Sequence, residues 1–103
     1  MLYKICCVLD AAAGAYLQPN FFRATEEAIR AFRLSCNSKD DSNLFTRSPK
    51  DYTLVELGIW DDVAGTISLY DQDVVLGNAV EFIDKIVPRS PAEAAPKMPP
   101  LVL

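Results

Sequence analysis

The stretch YTLVELGIWDDVAGTISLY, residues 52–70, decides the fold. In residues 52–60 the odd positions Val55, Leu57 and Ile59 are apolar and predict a core face, leaving Leu54, Glu56 and Trp60 opposite, the period-2 pattern of a strand. A further strand over about 66–70 repeats the pattern with Ile67 and Leu69. A hairpin through Asp61-Asp62-Val63-Ala64-Gly65 must keep the apolar sets together, because a one-residue slip turns one of them outward. The register that does so opposes Leu57 to Leu69 and Ile59 to Ile67. It sets Trp60 with Thr66, and Glu56 with Tyr70, on the second face.

Toward the N-terminus, residues 2–9 alternate so that Tyr3, Ile5, Cys7 and Leu9 share one face and Lys4 marks the other, a further strand. Residues 11–22 fit neither period and read as a loop or short strand ending in an anchor at Phe21 or Phe22. Thr25 as N-cap, Glu26 and Glu27 at the positive end, and an unbroken run to Cys36 predict a helix with Ala28, Ile29, Phe32 and Cys36 on one face. Residues 37–51 read as an exposed connection anchored by Leu44 and Phe45. After the hairpin, Val74 to Leu76 reads as a brief strand. Asn78 and Glu81 then resemble a capping box opening a short helix with Val80, Ile83 and Val87 as its stripe. In that helix Glu81 can pair with Lys85, and Pro88 stops it. The expectation is an α+β fold: a small antiparallel sheet of three to five strands, one main helix at about 25–36 on one face, and a short C-terminal helix. A parallel α/β arrangement is disfavoured because one long helix cannot supply the crossovers. Residues 1–87 form a single domain and 88–103, with five prolines, a proline-rich extended tail that includes a PxxP match at Pro88-Arg89-Ser90-Pro91.

Composition excludes more than it assigns. Mean hydropathy of +0.10 and no apolar run near ~18 residues argue against a spanning helix. The run Ile5 to Leu9 ends at Asp10 without the flanks of a signal peptide, so a cytoplasmic address is expected. The chain has no histidine, which removes the usual nitrogen ligand of metal sites and the Ser-His and Cys-His nucleophile pairs. A nonenzymatic protein without cofactor or metal follows as the expectation. Cys6, Cys7 and Cys36 show no metal spacing and read as buried small hydrophobes, with Cys6 and Cys7 pointing to opposite strand faces.

Charge is lopsided within a net of −4: residues 23–50 hold six bases against four acids, residues 51–87 one base against eight acids. Arg23, Arg30 and Arg33, with Arg47 and Lys50, are candidates for a phosphate-binding face, against the plainer reading of a solvated helix. Trp60 and Tyr70 on the non-core face are candidates for stacking on unpaired bases, against a second apolar layer covered by the helix or by a partner subunit. The acids of residues 51–84 alternate sheet faces and sit in turns, which favours solvated charge over a divalent-metal cluster.

Taken in order, Asp10, Ala15 to Phe22, Ala28 to Phe32, Pro49 through Gly58, Asp61-Asp62 with Gly65, and Leu76-Gly77 resemble the small nonstructural protein of gokushovirus-type microviruses, phages with single-stranded circular DNA. The likeness covers roughly residues 3–83 and leaves out Cys6-Cys7 and the tail. It implies a nonenzymatic protein of the host bacterial cytoplasm, concerned with genome replication, the change to single-strand synthesis, and packaging. Single-stranded DNA is the expected partner. Phage replication or procapsid proteins engaged through the acidic hairpin and tail are the alternative, no membrane is involved, and a homo-oligomer is compatible with both.

Overall fold

The structure, a computed structural model, describes residues 1–84. Its elements are β1 (Leu2–Asp10), β2 (Ala15–Tyr16), β3 (Asn20–Phe22), α1 (Thr25–Cys36), α2 (Leu44–Arg47), a 3-10 turn at Pro49–Asp51, β4 (Tyr52–Asp61), β5 (Thr66–Asn78) and α3 (Ala79–Phe82). The strands form one antiparallel five-stranded sheet in the order β2-β1-β4-β5, with β3 pairing β1 on the same side as β2. This is the expected α+β fold, but the β4–β5 hairpin is not its centre: β1 and β4 are the inner strands and β5 lies at the edge. The tail, Lys85, Val87 and Pro88 lie outside the described residues.

The helical layer covers one face of the sheet. Ala28, Phe32 and Cys36 of α1 pack with Cys6, Tyr52, Leu54, Ala79 and Phe82, and Phe32 meets both Phe45 and Phe82 edge to face at 5.3 and 5.7 Å between centroids. The helix-facing side of β4 is therefore Tyr52 and Leu54; of the expected core set Val55 is buried, though on the other face, and Leu57 and Ile59 are corrected. The cause is a bulge: against β1 the register passes from Ile5↔Gly58 to Cys6↔Glu56, so Leu57 has no partner and parity reverses there. Leu57 and Ile59 are left half-buried.

The hairpin register is corrected too. The pairs are Asp61↔Thr66, Trp60↔Ile67, Ile59↔Ser68 and Gly58↔Leu69, one residue from the expected pairing. The turn dictates it. The Asp61 carboxylate accepts from the Val63 and Ala64 amides at 2.9 and 3.3 Å, and Gly65, at φ 68, donates its amide to the Asp61 carbonyl at 2.8 Å. Beyond Leu69, β5 bulges through residues 70–73 before Val74 pairs with Glu56.

Local details depart from expectation for identifiable reasons. Ala24, not Thr25, is the N-cap of α1, and it makes no side-chain cap bond; the Thr25 hydroxyl turns to Glu56. Within 37–51, Phe45 anchors against Tyr52 at 5.0 Å, but Leu44 is exposed. The capping box at Asn78 and Glu81 is present, and Asn78 Nδ2 also donates to the Lys50 carbonyl and Thr53 Oγ1. In α3 it is Ala79 and Phe82 that reach the core, while Val80 is exposed, because one helical turn cannot present a stripe. The three cysteines are buried thiols, with Cys6 in the helix-side core and Cys7 on the other face.

Candidate nucleic-acid interface

The second face of the sheet has no helix over it among the described residues. β1 contributes Tyr3, Ile5, Cys7 and Leu9, the alternation read from the sequence, and the pairing adds Trp60 beside Tyr3, Phe21 beside Ile5, and Val55 beside Cys7. Val55 and Cys7 are nevertheless only 2% and 3% exposed. A strap explains it: the Tyr16 hydroxyl of β2 donates to Asp73 of β5 at 2.7 Å, a bond that has to span β1 and β4 above these two residues. The bond raises the Tyr16 phenol, and burial together with Asp73 raises the Cys7 thiol.

At the other end of this face Phe21 and Trp60 meet edge to face, 6.2 Å between centroids at 73°. With Tyr3 and Asp62 they line a shallow open cleft. Phe21 is exposed and Trp60 and Tyr3 are half-buried, so ring surface remains available for stacking. Trp60 thus lies on the non-helical face as expected. For Tyr3 and Phe21 the sequence carries only an alternation and an anchor signal, and the pairing of β3 and β4 on β1 brings them to Trp60.

Tyr70 is not part of this group, which corrects its expected place on the same face as Trp60. The hairpin register, which sets Ile67 and Leu69 on the face of Trp60, turns Tyr70 to the helical side, where its hydroxyl donates to Glu56 Oε2 at 2.6 Å and its own ionisation is pushed up to about 12, chiefly by that bond. Glu56, at 5% exposed, is buried rather than solvated. Its other oxygen accepts from Thr25 Oγ1 at 2.6 Å, and Lys4 Nζ lies 3.8 Å from Oε2. One carboxylate thus ties β1, β4, β5 and the start of α1 together.

The basic candidates sit in or beside the helical layer. Arg23 follows β3 directly and is exposed, one step beyond the Lys4↔Phe22 pair and so level with Tyr3. Arg30 and Arg33 lie on the exposed side of α1, and the Arg33 guanidinium carbon stands 5.1 Å over the Phe82 ring. Arg47 ends α2 and Lys50 lies in the 3-10 turn. None of the five is in an ion pair among the described residues. None of the five lines the aromatic cleft, and Arg30, Arg33, Arg47 and Lys50, on the helical layer, are across the sheet from it.

Burial raises the Cys6 thiol to about 12, with Glu56 adding to it, and raises Cys36 to about 11, so neither is a ready nucleophile at neutral pH. No group of three or more metal-ligating side chains occurs, and no helix is long and apolar enough to cross a membrane, among the described residues. No curated protein and no solved structure matches the chain. The family model described as Phage ORF5 protein matches residues 3–82. That match runs from β1 to the end of α3, taking in the whole sheet and the helical layer, and the chain belongs to the Phage ORF5 protein family.

Proposed function

We propose that this phage protein is a nonenzymatic accessory of genome replication in gokushovirus-type microviruses, acting in the host bacterial cytoplasm. It binds single-stranded DNA on the uncovered face of its sheet and assists the change to single-strand synthesis and packaging. The observation that carries this is the Tyr3, Phe21 and Trp60 cluster, on a sheet face free of helix among the described residues. Aromatic rings on an open sheet hold unpaired bases by stacking, a mode that tolerates any sequence. Because Arg30, Arg33, Arg47 and Lys50 lie across the sheet, stacking leads and phosphate contacts follow.

Anisotropy of a labelled oligo-dT tests this. Trp60→Ala weakens binding roughly five- to a hundred-fold, and Phe21→Ala acts in the same direction, whereas Tyr70→Phe leaves affinity unchanged. The log–log salt slope is shallow, near the ~0.7 expected per single-strand phosphate contacted. A steep slope abolished by Arg30→Ala and Arg33→Ala, with Trp60→Ala silent, would move binding to the helical layer. Absence of binding even at low salt leaves the other reading, an adaptor for the replication initiator or procapsid. The feature favouring that reading is the acidic residue Asp62 lining the aromatic cleft.

A further inference from the structure

Two other surfaces stay uncovered among the described residues, and they complement each other. One is the free edge of the sheet. β5 is the last strand in the order, and beyond Trp60 and Val55 its open-face column is Ile67, Leu69 and Val75, the last two 67% and 68% exposed. The bulge between Leu69 and Val74 adds exposed Asp71. An apolar stripe on an unpaired edge strand is a surface that proteins cover or guard. The other surface is the outward side of α1. With Ala28, Phe32 and Cys36 turned to the core, Arg30, Arg33 and Leu34 adjoin one another at helical spacing on the exposed side, and Leu34 is 69% exposed.

We propose that copies of this chain associate head to tail, the Arg30, Arg33 and Leu34 side of α1 in one copy seating on the β5 stripe and Asp71 of the next. Charge selects a second copy in this orientation. β5 carries Asp71 and Asp73 and no base, and the outward side of α1 carries Arg30 and Arg33, so edge meets helix with opposite sign while edge to edge or helix to helix repels. The stripe and the helix side lie on opposite faces of the sheet, so the contact is heterologous and adds further copies rather than closing at two. The stripe offers apolar surface of order 300 Å², well below the roughly 800 Å² per partner of a stable complex, so association is weak and depends on concentration. The contact goes beyond the DNA reading and does not require it; on a shared strand it would make binding cooperative.

Sedimentation of the full chain without DNA tests it, so that its outcome is separate from that of the oligonucleotide assay. Average mass rises with concentration past two copies at low salt and falls when salt is added. The variant Arg30→Ala, Arg33→Ala, Leu34→Ala and the variant Ile67→Thr, Leu69→Thr, Val75→Thr are each monomeric, with melting curves confirming that both are folded. Mixed in equal amounts, they form a complex that stops at two copies, because one intact helix side meets one intact stripe. A wild-type chain monomeric at every concentration in low salt overturns the proposal. So does a helix variant that associates as well as wild type, or a mixture that forms no complex.

Discussion

Replacing Glu56 by alanine tests the linchpin of the sheet. The side chain is buried and accepts two hydroxyl hydrogen bonds at 2.6 Å, from Thr25 and Tyr70, with Lys4 at 3.8 Å as its counter-charge. Hydrogen bonds to a charged group contribute about 1.5–3 kcal/mol each, so the two set a ceiling of roughly 3–6 kcal/mol. Tyr70 and Thr25 are only half-buried and regain water when the carboxylate is gone, which brings the expected cost of Glu56→Ala to about 2–4 kcal/mol. At about 4–8 °C per kcal/mol for a domain this small, the melting temperature falls by at least ~8 °C. Glu56→Gln keeps the shape and neutral hydrogen bonds and costs about 1–2 kcal/mol. Urea titrations followed by Trp60 fluorescence give both numbers. A double-mutant cycle of Glu56→Ala with Tyr70→Phe should show coupling, since the two groups share one bond. A loss below 1 kcal/mol for Glu56→Ala, or strict additivity with Tyr70→Phe, would refute the view that this carboxylate fastens α1 and the β5 bulge to the sheet.

Alkali should weaken the fold through the same bond. Tyr70 titrates at about 12 in the folded chain against an ordinary value of 10, so its contribution is complete below pH 10 and lost as pH rises toward 12. Cys6 and Cys36, raised from 9 to about 12 and about 11, add to the loss from pH 9 upward. Stability measured from pH 8 to 12 should fall across this range, and Tyr70→Phe should make the fall above pH 10 shallower, leaving the share of the two thiols. Gly58→Ala should cost roughly 1–3 kcal/mol by denaturant titration, because a Cβ there runs into the Ser68 carbonyl and comes 2.8 Å from Leu69 Cα, backbone that moves only if β5 does. Thiol labelling of the native protein at neutral pH should be slow at all three cysteines and speed up together on unfolding, since each is buried. Fast labelling of Cys7 alone would show that the Tyr16–Asp73 strap opens.

The two-layer chemistry has a direct consequence for how the charge pattern of this chain is used. The basic segment forms the helical layer and the acidic segment the β4–β5 hairpin, so the molecule presents arginines on one side and aromatic rings on the other. A negatively charged chain can then still offer one face to a polyanion, provided that stacking carries most of the binding.

Sequence alone was enough for the parts governed by neighbours along the chain. The alternation of Tyr3, Ile5, Cys7 and Leu9, the limits of α1, and the Asn78–Glu81 capping box all follow from local sterics and local hydrogen bonds, and all are present. Tertiary structure decided which side of β4 is inside. Residues 54–59 carry apolar side chains at both parities, Leu54 as well as Val55, Leu57 and Ile59, so periodicity cannot choose, and the choice falls to where α1 can pack. The bulge at Leu57 then undoes any parity argument carried along β4, since an unpaired residue reverses every side chain beyond it, and the turn sets the hairpin register one residue from the expected one, so that Ile67 and Leu69 join Trp60. That is why Trp60 kept its expected face while Tyr70 left it. It is also why Glu56, an acid in an apparently solvated position, is the buried centre of the sheet's bonding: its partners come from Thr25, Lys4 and Tyr70, remote in sequence and joined only by the fold.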